Sequence, residues 1–414
     1  MSDFTPRDLP LQGRHIVLGV TGSISCYKAA DLASKLRQSG ADVEVVMTPA
    51  ATRFIAPLTF KSLTGRDVVV DMFDAAETEA HVEVARRADA MVIAPATADC
   101  LASLAHGFAG DMVALTALAT AAPVLVAPAM DSQMWEHPAT RENIAILRDR
   151  GVEVVGPMIG RLASGRTGPG RLAEVPEILG ALRLLLGQRS GDLSGRRIVV
   201  SAGGTHEPID PVRFVGNRST GKMGFAIAEA ARDRGAFVTL VAGPVALETP
   251  WGVHRVDVQT VREMLVALEQ AAADSDAIIM AAAPADFRPA SPADHKIKKA
   301  PGQERLVIEL EQNPDIIASI PGGGIRVGFA AETRNLAEYA RQKLPAKRLH
   351  FIVANDVSAP GSGFGTETNQ VVIFHDDGRV EEFPLLSKYA VAHLILDRVL
   401  ERLAARERPA TPPA

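Results

Sequence analysis

Cysteine is scarce: Cys26 and Cys100 are the only two in 414 residues. Two cysteines exclude a disulfide framework, and neither stands in a Cys/His cluster of metal-ligating spacing. A reducing, cytoplasmic compartment is therefore the expectation. No apolar run approaches the ~20 residues of a membrane span, and no signal peptide is read before Gly13, so no membrane partner is expected. Positive charge is not in excess either. The net charge of −5 gives no reason to expect nucleic acid as a partner. One further absence is more specific. Two stretches read as strand, glycine turn, helix and strand, and a dinucleotide site of that pattern needs an acidic residue at the end of its second strand to hold a ribose hydroxyl. The first such strand ends Val46, Met47, Thr48 and the second ends Val241, Ala242, Gly243. Neither offers a carboxylate, which disfavours NAD in both halves.

What is present is ample apolar material, 47% hydrophobic against 22% charged, in a chain too long for one ordinary core. Met1 to Leu11 read as a loose arm. His15 to Val20 reads as a strand, Gly22 to Ser25 as a tight turn, Tyr27 to Gln38 as a helix with Leu32 and Leu36 inward, and Val43 to Met47 as the next strand. Met91 to Ala94 and Val124 to Ala127 are further buried strands. The pattern restarts with strand Ile198 to Ser201, a helix from about Met223 and strand Phe237 to Ala242. In that helix Phe225, Ile227, Ala228 and Ala231 form an apolar stripe, while Arg232, Asp233 and Arg234 are expected in water and Gly235 closes it. Strands follow near Ala277 to Ala281, Ile325 to Ala330, Phe351 to Ala354 and Val371 to Phe374. Asp376-Asp377-Gly378 signals a hairpin before Arg379 to Phe383, a last helix spans Leu386 to Ala404, and a disordered tail begins at Arg408. The polar stretch Gly187 to Ser194, after a helix over Glu177 to Leu186, is the expected boundary. The fold class is α/β: two tandem Rossmann-like domains with mainly parallel sheets, residues 1–189 and 190–414. In such sheets ligands sit at the carboxyl ends of the strands.

The motifs are more specific than the pattern. NRSTGKMGFAIA, from Asn217, opens a helix whose unpaired N–H groups suit a phosphate or carboxylate. AAPADFRP, KIKK, NPDII, GFAAET and ANDVS follow in order, while the first half carries TGSIS, HVEVARRADAMVIAPATAD, PAMDSQMW and GRLASGRTGPGRL. On these motifs the chain resembles the bifunctional phosphopantothenoylcysteine decarboxylase/phosphopantothenate-cysteine ligase family of coenzyme A biosynthesis, over roughly Gly13 to Leu400.

For the first half the resemblance implies an FMN-dependent decarboxylase acting on 4'-phosphopantothenoylcysteine, with the flavin regenerated in each cycle. It implies FMN contacts at Gly22, Ser23, Ser25, Thr48, Ala94, Pro95 and Thr97, and a catalytic histidine at His81, which taken alone would read as structural. Two positions depart from the family pattern. Asp131 stands where a substrate-binding asparagine is expected, and an ionised acid there repels a substrate carboxylate. Ser164 stands where many relatives carry a proton-donating cysteine. A hydroxyl is a far weaker acid than a thiol of pKa about 8.5, and beyond Arg166 no basic partner for Ser164 is evident in the sequence.

For the second half the resemblance implies ligation of L-cysteine to 4'-phosphopantothenate through an acyl-cytidylate made from CTP. Asn217 matches the residue that holds the intermediate, and Lys296 matches a lysine beside the reacting groups. Met280, Ala281, Ala282 and Asp286 match nucleoside contacts; Pro314, Asp315, Ile316, Ile317 and Phe329 complete the pocket. Lys343 and Lys347 match triphosphate ligands acting with Mg²⁺, for which no protein ligand is assigned. Taken alone, those lysines read as a solvated helix face and KIKK as a surface charge run. Gly204 and His206 replace a common proline and arginine. Trimeric relatives of the first half and dimeric relatives of the second imply a closed homo-oligomer, of which a dodecamer is one form. Two rivals remain at this point: a ligase whose first half merely binds flavin, and a flavin decarboxylase acting on another cysteine-ended substrate.

Overall fold

The structure is a computed structural model that describes residues 8–71, 80–299, 304–321, 324–332, 336–356, 361, 363 and 365–407. The chain divides into a compact unit of Leu9–Arg189 and a second built on Ser190–Ala414.

In the first unit β1 (His15–Val20) turns into α1 (Cys26–Gln38) and β2 (Asp42–Met47). Then come α2 (Pro57–Thr64), α3 (Ala80–Arg87) and β3 (Ala90–Ala96). After these, α4 (Ala98–His106) and α5 (Met112–Ala119) lead to β4 (Val124–Pro128), and α6 (Ser132–Glu136) and α7 (Pro138–Asp149) lead to β5 (Glu153–Val154). A hairpin of β6 (Met158–Arg161) and β7 (Thr167–Arg171) precedes α8 (Val175–Ser190). The five-stranded sheet runs β2-β1-β3-β4-β5, all parallel. Its strands are near-continuous apolar runs because helices cover both faces. Cys26, Ala29, Leu32, Ala33 and Leu36 form the buried stripe of α1, and burying each leucine is worth about 2 kcal/mol.

Two expectations change here. Leu11, placed in a loose arm, is fully buried, and its N–H donates to Ser39 O at 2.8 Å. Helix α8 also runs on through Gly187 to Ser190, past the end of its buried stripe, which shortens the expected linker from its front.

The second unit begins with β8 (Arg197–Ala202), a hairpin of β9 (His206–Pro208) and β10 (Phe214–Gly216), α9 (Lys222–Asp233) and β11 (Phe237–Ala242). It continues with β12 (His254–Asp257), α10 (Val261–Ala272), β13 (Ala277–Met280), β14 (Phe287–Pro289), β15 (Leu310–Gln312) and α11 (Ile316–Ser319). Next are β16 (Ile325–Glu332), α12 (Leu336–Ala346), β17 (Phe351–Asp356), β18 (Thr368–Asn369) and β19 (Val371–His375). It ends with β20 (Val380–Glu382), β21 (Leu386–Ser387) and α13 (Lys388–Glu407). The eight-stranded sheet runs β12-β11-β8-β13-β16-β17-β19-β20, parallel through β17, after which β19 is antiparallel to β17 and β20 antiparallel to β19. The Asp376-Asp377-Gly378 turn makes that last hairpin, with Gly378 at φ +87°.

Helix α9 lies hard against β8: a Cβ on Gly224 would come within 2.7 Å of Ser201 O, so the glycine sets the approach. The expected wet end of α9 is dry. Arg232 is 1% exposed and Arg234 3%. Arg232 donates to Asp233 Oδ1 and Trp251 O, and Arg234 to Asp192 and Asp397. Buried guanidinium groups persist because every charge is paired. The final helix starts at Lys388, since Leu386–Ser387 pair as a strand with Thr368–Asn369. The expected tail, 408–414, lies outside the described residues.

Two candidate sites at the strand ends

In each unit the first strand is flanked by strands that diverge to either side, β2 and β3 about β1, β11 and β13 about β8. The crevice beyond their carboxyl ends is where ligands bind open α/β sheets.

In the first unit that crevice is walled by the Thr21–Ser25 turn, the Thr48 end of β2 and the Ala94–Thr97 end of β3. A Cβ on Gly22 would fall 2.7 Å from Ala50 Cβ, so only glycine lets the turn close on the loop after β2. Thr21 ties the turn to β3: its hydroxyl donates to Pro95 O at 2.7 Å and accepts from Thr97 N at 3.1 Å. Thr97 in turn caps α4 by accepting from Cys100 N, and Thr48 Oγ1 accepts from Ala51 N. Gly22, Ser23, Ser25, Thr48, Ala94, Pro95 and Thr97 thus belong to one joined set of loops. His81 is half-buried at the second position of α3. The residues before it, 72–79, are outside the described set.

Beside the turn opens a cavity of about 520 Å³ whose walls include Ser23, Ser25, Lys28, Asp131, Ser164 and Arg171. The β6–β7 hairpin roofs it. Gly170 O accepts from Met130 N at 2.9 Å, seating the hairpin base. At its tip, Ser164 Oγ donates to Asp131 Oδ2 at 2.9 Å. The two positions that depart from the family pattern touch each other. Asp131 also caps α6, accepting from Gln133 N at 3.0 Å, and that N–H, the Ser164 hydroxyl and the nearby Arg166 hold its carboxyl below the usual range. Ser164 therefore has a hydrogen-bond acceptor that the sequence did not reveal, though one whose lowered pKa makes it a weak base. Lys28 is a wall residue the sequence reading missed; its Nζ pairs with Glu174 at 2.9 Å. Its position in the first turn of α1, just after the Gly22 turn, was the available signal.

In the second unit the ends of β8 and β13 are stitched together. Ser201 Oγ accepts from Ala282 N at 3.1 Å, Thr205 Oγ1 accepts from Ala285 N at 2.9 Å, and Ala283 N donates to Gly203 O at 2.8 Å. Asn217 Nδ2 donates to Ala283 O and Pro284 O at 3.2 and 3.0 Å. That brings Asn217, Ala281, Ala282 and, at the head of β14, Asp286 into one neighbourhood. Met280 is mostly buried, its sulfur against the Ser201 hydroxyl. Asn313 is the clasp to the next loop: its N–H donates to Asp286 O and its amide to Ala285 O, both at 2.9 Å. Sequence reading passed over Asn313 in favour of its neighbours.

Pro314 and Asp315 are exposed beside it, and Asp315 pairs with Lys347 at 2.9 Å. The side chains of Ile316 and Ile317, expected in a pocket, instead face the core at 3% and 5% exposure. Only their backbone, in the first turn of α11, is left for a ligand. Phe329 is half-buried in β16. Helix α12 ends at Ala346, one residue before Lys347, but Lys347 N still donates to Lys343 O, so both lysines stay on one side. Lys296 is exposed on the segment after β14. Part of the ANDVS motif, Val357 and Ser358, is not among the described residues. Among those residues no group of three His, Cys, Asp or Glu side chains could hold a metal ion, and no helix is long and apolar enough to cross a membrane.

Comparison with known proteins follows the same division. Residues 6–186 match the Flavoprotein family model, and residues 193–403 match the DNA/pantothenate metabolism flavoprotein C-terminal domain. The chain is 44% identical to the coenzyme A biosynthesis bifunctional protein CoaBC of Vibrio vulnificus over 94% of its length and 98% of the relative's. It is 44% identical to that of Escherichia coli over 97% of its length and 100% of the relative's. The crystal structure of the C-terminal domain of a CoaBC protein aligns over 52% of this chain and 100% of its own, at 42% identity and a TM-score of 0.45.

Proposed function

This chain belongs to the family of coenzyme A biosynthesis bifunctional CoaBC proteins, and from that premise we propose a division of labour between its units. The second, residues 190–414, ligates L-cysteine to 4'-phosphopantothenate by way of an acyl-cytidylate formed from CTP. The first, residues 1–189, decarboxylates the resulting 4'-phosphopantothenoylcysteine to 4'-phosphopantetheine with FMN.

The observation that carries the ligase reading is Asn217. Its amide bonds to Ala283 O and Pro284 O, so the motif that opens α9 and the loop after β13 share one crevice. A nucleotide there would meet Ala281, Ala282 and Asp286, with Lys343 and Lys347 supplying cations toward its phosphates. Mg²⁺ would arrive on the triphosphate itself. Lys296 and Asn217 would hold the activated carboxyl for attack by the cysteine amine.

For the first unit, the donor set of the Thr21–Ser25 turn fits a flavin phosphate: backbone N–H groups, small hydroxyl side chains and no carboxylate. When bound, FMN supplies the reversible oxidation that makes loss of carbon dioxide feasible. The chain's own part is to shelter the cavity under the β6–β7 hairpin, to present Lys28 and Arg171 toward substrate phosphate, and to move a proton at His81. The enzyme is read as a cytoplasmic homo-oligomer.

Three assays on the purified chain test this: its visible spectrum, carbon dioxide release from phosphopantothenoylcysteine, and pyrophosphate release with CTP, phosphopantothenate and cysteine. A yellow protein active in both reactions is expected. A colourless protein overturns the flavin, and pyrophosphate from ATP but not CTP overturns the nucleotide. Asn217→Asp, which sets an anion beside an anionic intermediate, is expected to lower ligation by roughly 100-fold or more.

A further inference from the structure

The turn of the β9–β10 hairpin holds a carboxylate, Asp210, whose side chain is fully buried. Its Oδ1 serves the turn, accepting from Val212 N and Arg213 N at 2.9 Å each. Its Oδ2 reaches out of the turn, to Ile297 N at 3.2 Å and to the guanidinium of Arg213, whose Nε lies at 2.9 Å. Arg213 Nη2 then donates to Ile297 O at 2.9 Å. Both backbone groups of Ile297 are thereby fastened to one ion pair, and Ala293 N donates to Ile209 O at 2.9 Å four residues earlier. The residue before Ile297 is Lys296, and the residue after β10 is Asn217.

We infer that Asp210 is a positioning residue for ligation: through Ile297 it holds the segment that carries Lys296 against the hairpin that ends in Asn217. The inference rests on the ligase reading given above. The chemistry favours it because an exposed loop such as 291–299 has no core of its own to fix it, and misplacement of a reacting group by ~1 Å costs roughly 100-fold in rate. A buried carboxylate is costly to keep unless its partners need it there, and among the described residues the partner that Asp210 reaches beyond its own turn is Ile297, with the guanidinium of Arg213 in the turn bridging to the same residue. That guanidinium, with the three backbone N–H groups, holds the Asp210 carboxyl far below the usual carboxylate range, so the clamp stays charged wherever the enzyme is assayed.

The test is a double-mutant cycle in the full chain between Asp210→Asn and Lys296→Ala, read by pyrophosphate release, with peptide-level hydrogen exchange on each protein. Asp210→Asn is expected to lower kcat roughly 10- to 100-fold with little change in KM for CTP, to lose that effect on the Lys296→Ala background, and to speed exchange across 293–299 but not in β8 or β13. An equal loss on both backgrounds, or unchanged exchange across 293–299, overturns it. If Asp210→Asn does not fold, Arg213→Ala takes its place, because it removes the bond to Ile297 O and leaves the Oδ1 turn contacts intact. A wild-type chain that releases no pyrophosphate would sink the ligase reading itself, and exchange alone would then decide whether the clamp exists.

Discussion

Asp131 and Ser164 show what a sequence can and cannot say about single residues. Each is visible as a departure from its motif, and each taken singly suggests a weakened decarboxylase. Their hydrogen bond spans 33 positions, and no local pattern encodes it. The carboxylate earns its place twice, as the cap of α6 and as the acceptor that tethers the hairpin tip. Asparagine caps a helix as well as aspartate does, so Asp131→Asn is expected to leave the melting temperature unchanged. It also removes a negative charge from the wall of a cavity meant for an anionic substrate. KM for phosphopantothenoylcysteine, followed by carbon dioxide release, is expected to fall about tenfold; a rise would show that the tether matters more than the charge. Arg232 and Arg234 teach the same lesson, since three consecutive charged residues at a helix end look solvated until Trp251, Asp192 and Asp397 are brought to them.

Among elements, the central strands were the most legible because burial on both faces writes itself as an unbroken apolar run. Strands β1, β8 and β11 and helices α1 and α9 lie within a residue or two of their expected limits. Short elements were not legible: β9, β10, β18 and β21 have two or three residues each, too few for any period to show. They matter none the less. The carbonyls of Gly363, Gly365, Thr366 and Thr368 are held by the first residues of two helices. Lys222, opening α9, donates to Gly365 O at 2.8 Å, and Lys388, opening α13, donates to the carbonyls of Gly363, Thr366 and Thr368 at 2.9, 2.5 and 3.2 Å. Lys388 is 5% exposed, and burial lowers its pKa, so the carbonyls are what keep the ammonium in place. Lys388→Met strands those acceptors and is expected to destabilise the second unit by about 1–3 kcal/mol, measured by urea unfolding. A change below about 0.5 kcal/mol, the scale of ordinary surface substitutions, would mean that water replaces the ammonium without penalty.

At the scale of the whole molecule, two α/β units in tandem could be read from a repeated strand–turn–helix–strand opening, but the order of the strands could not. Nothing local tells β12 to take an edge or β19 to run backwards. The buried stripe of α8 ends at Leu186 and Gly187, so a cut after Ser190 spares both cores. The fragment from Gly191 to Ala414 is expected to unfold cooperatively and to release pyrophosphate with CTP and phosphopantothenate; a soluble fragment without that activity would mean the ligase needs the first unit. Finally, both cysteines are buried, and burial raises both thiols above their ordinary pKa. An enzyme proposed to work on sulfur compounds thus offers no exposed thiol itself. Both thiols are expected to resist a thiol reagent until the chain unfolds, so that such a reagent added to a running assay counts the thiols of substrate and product alone.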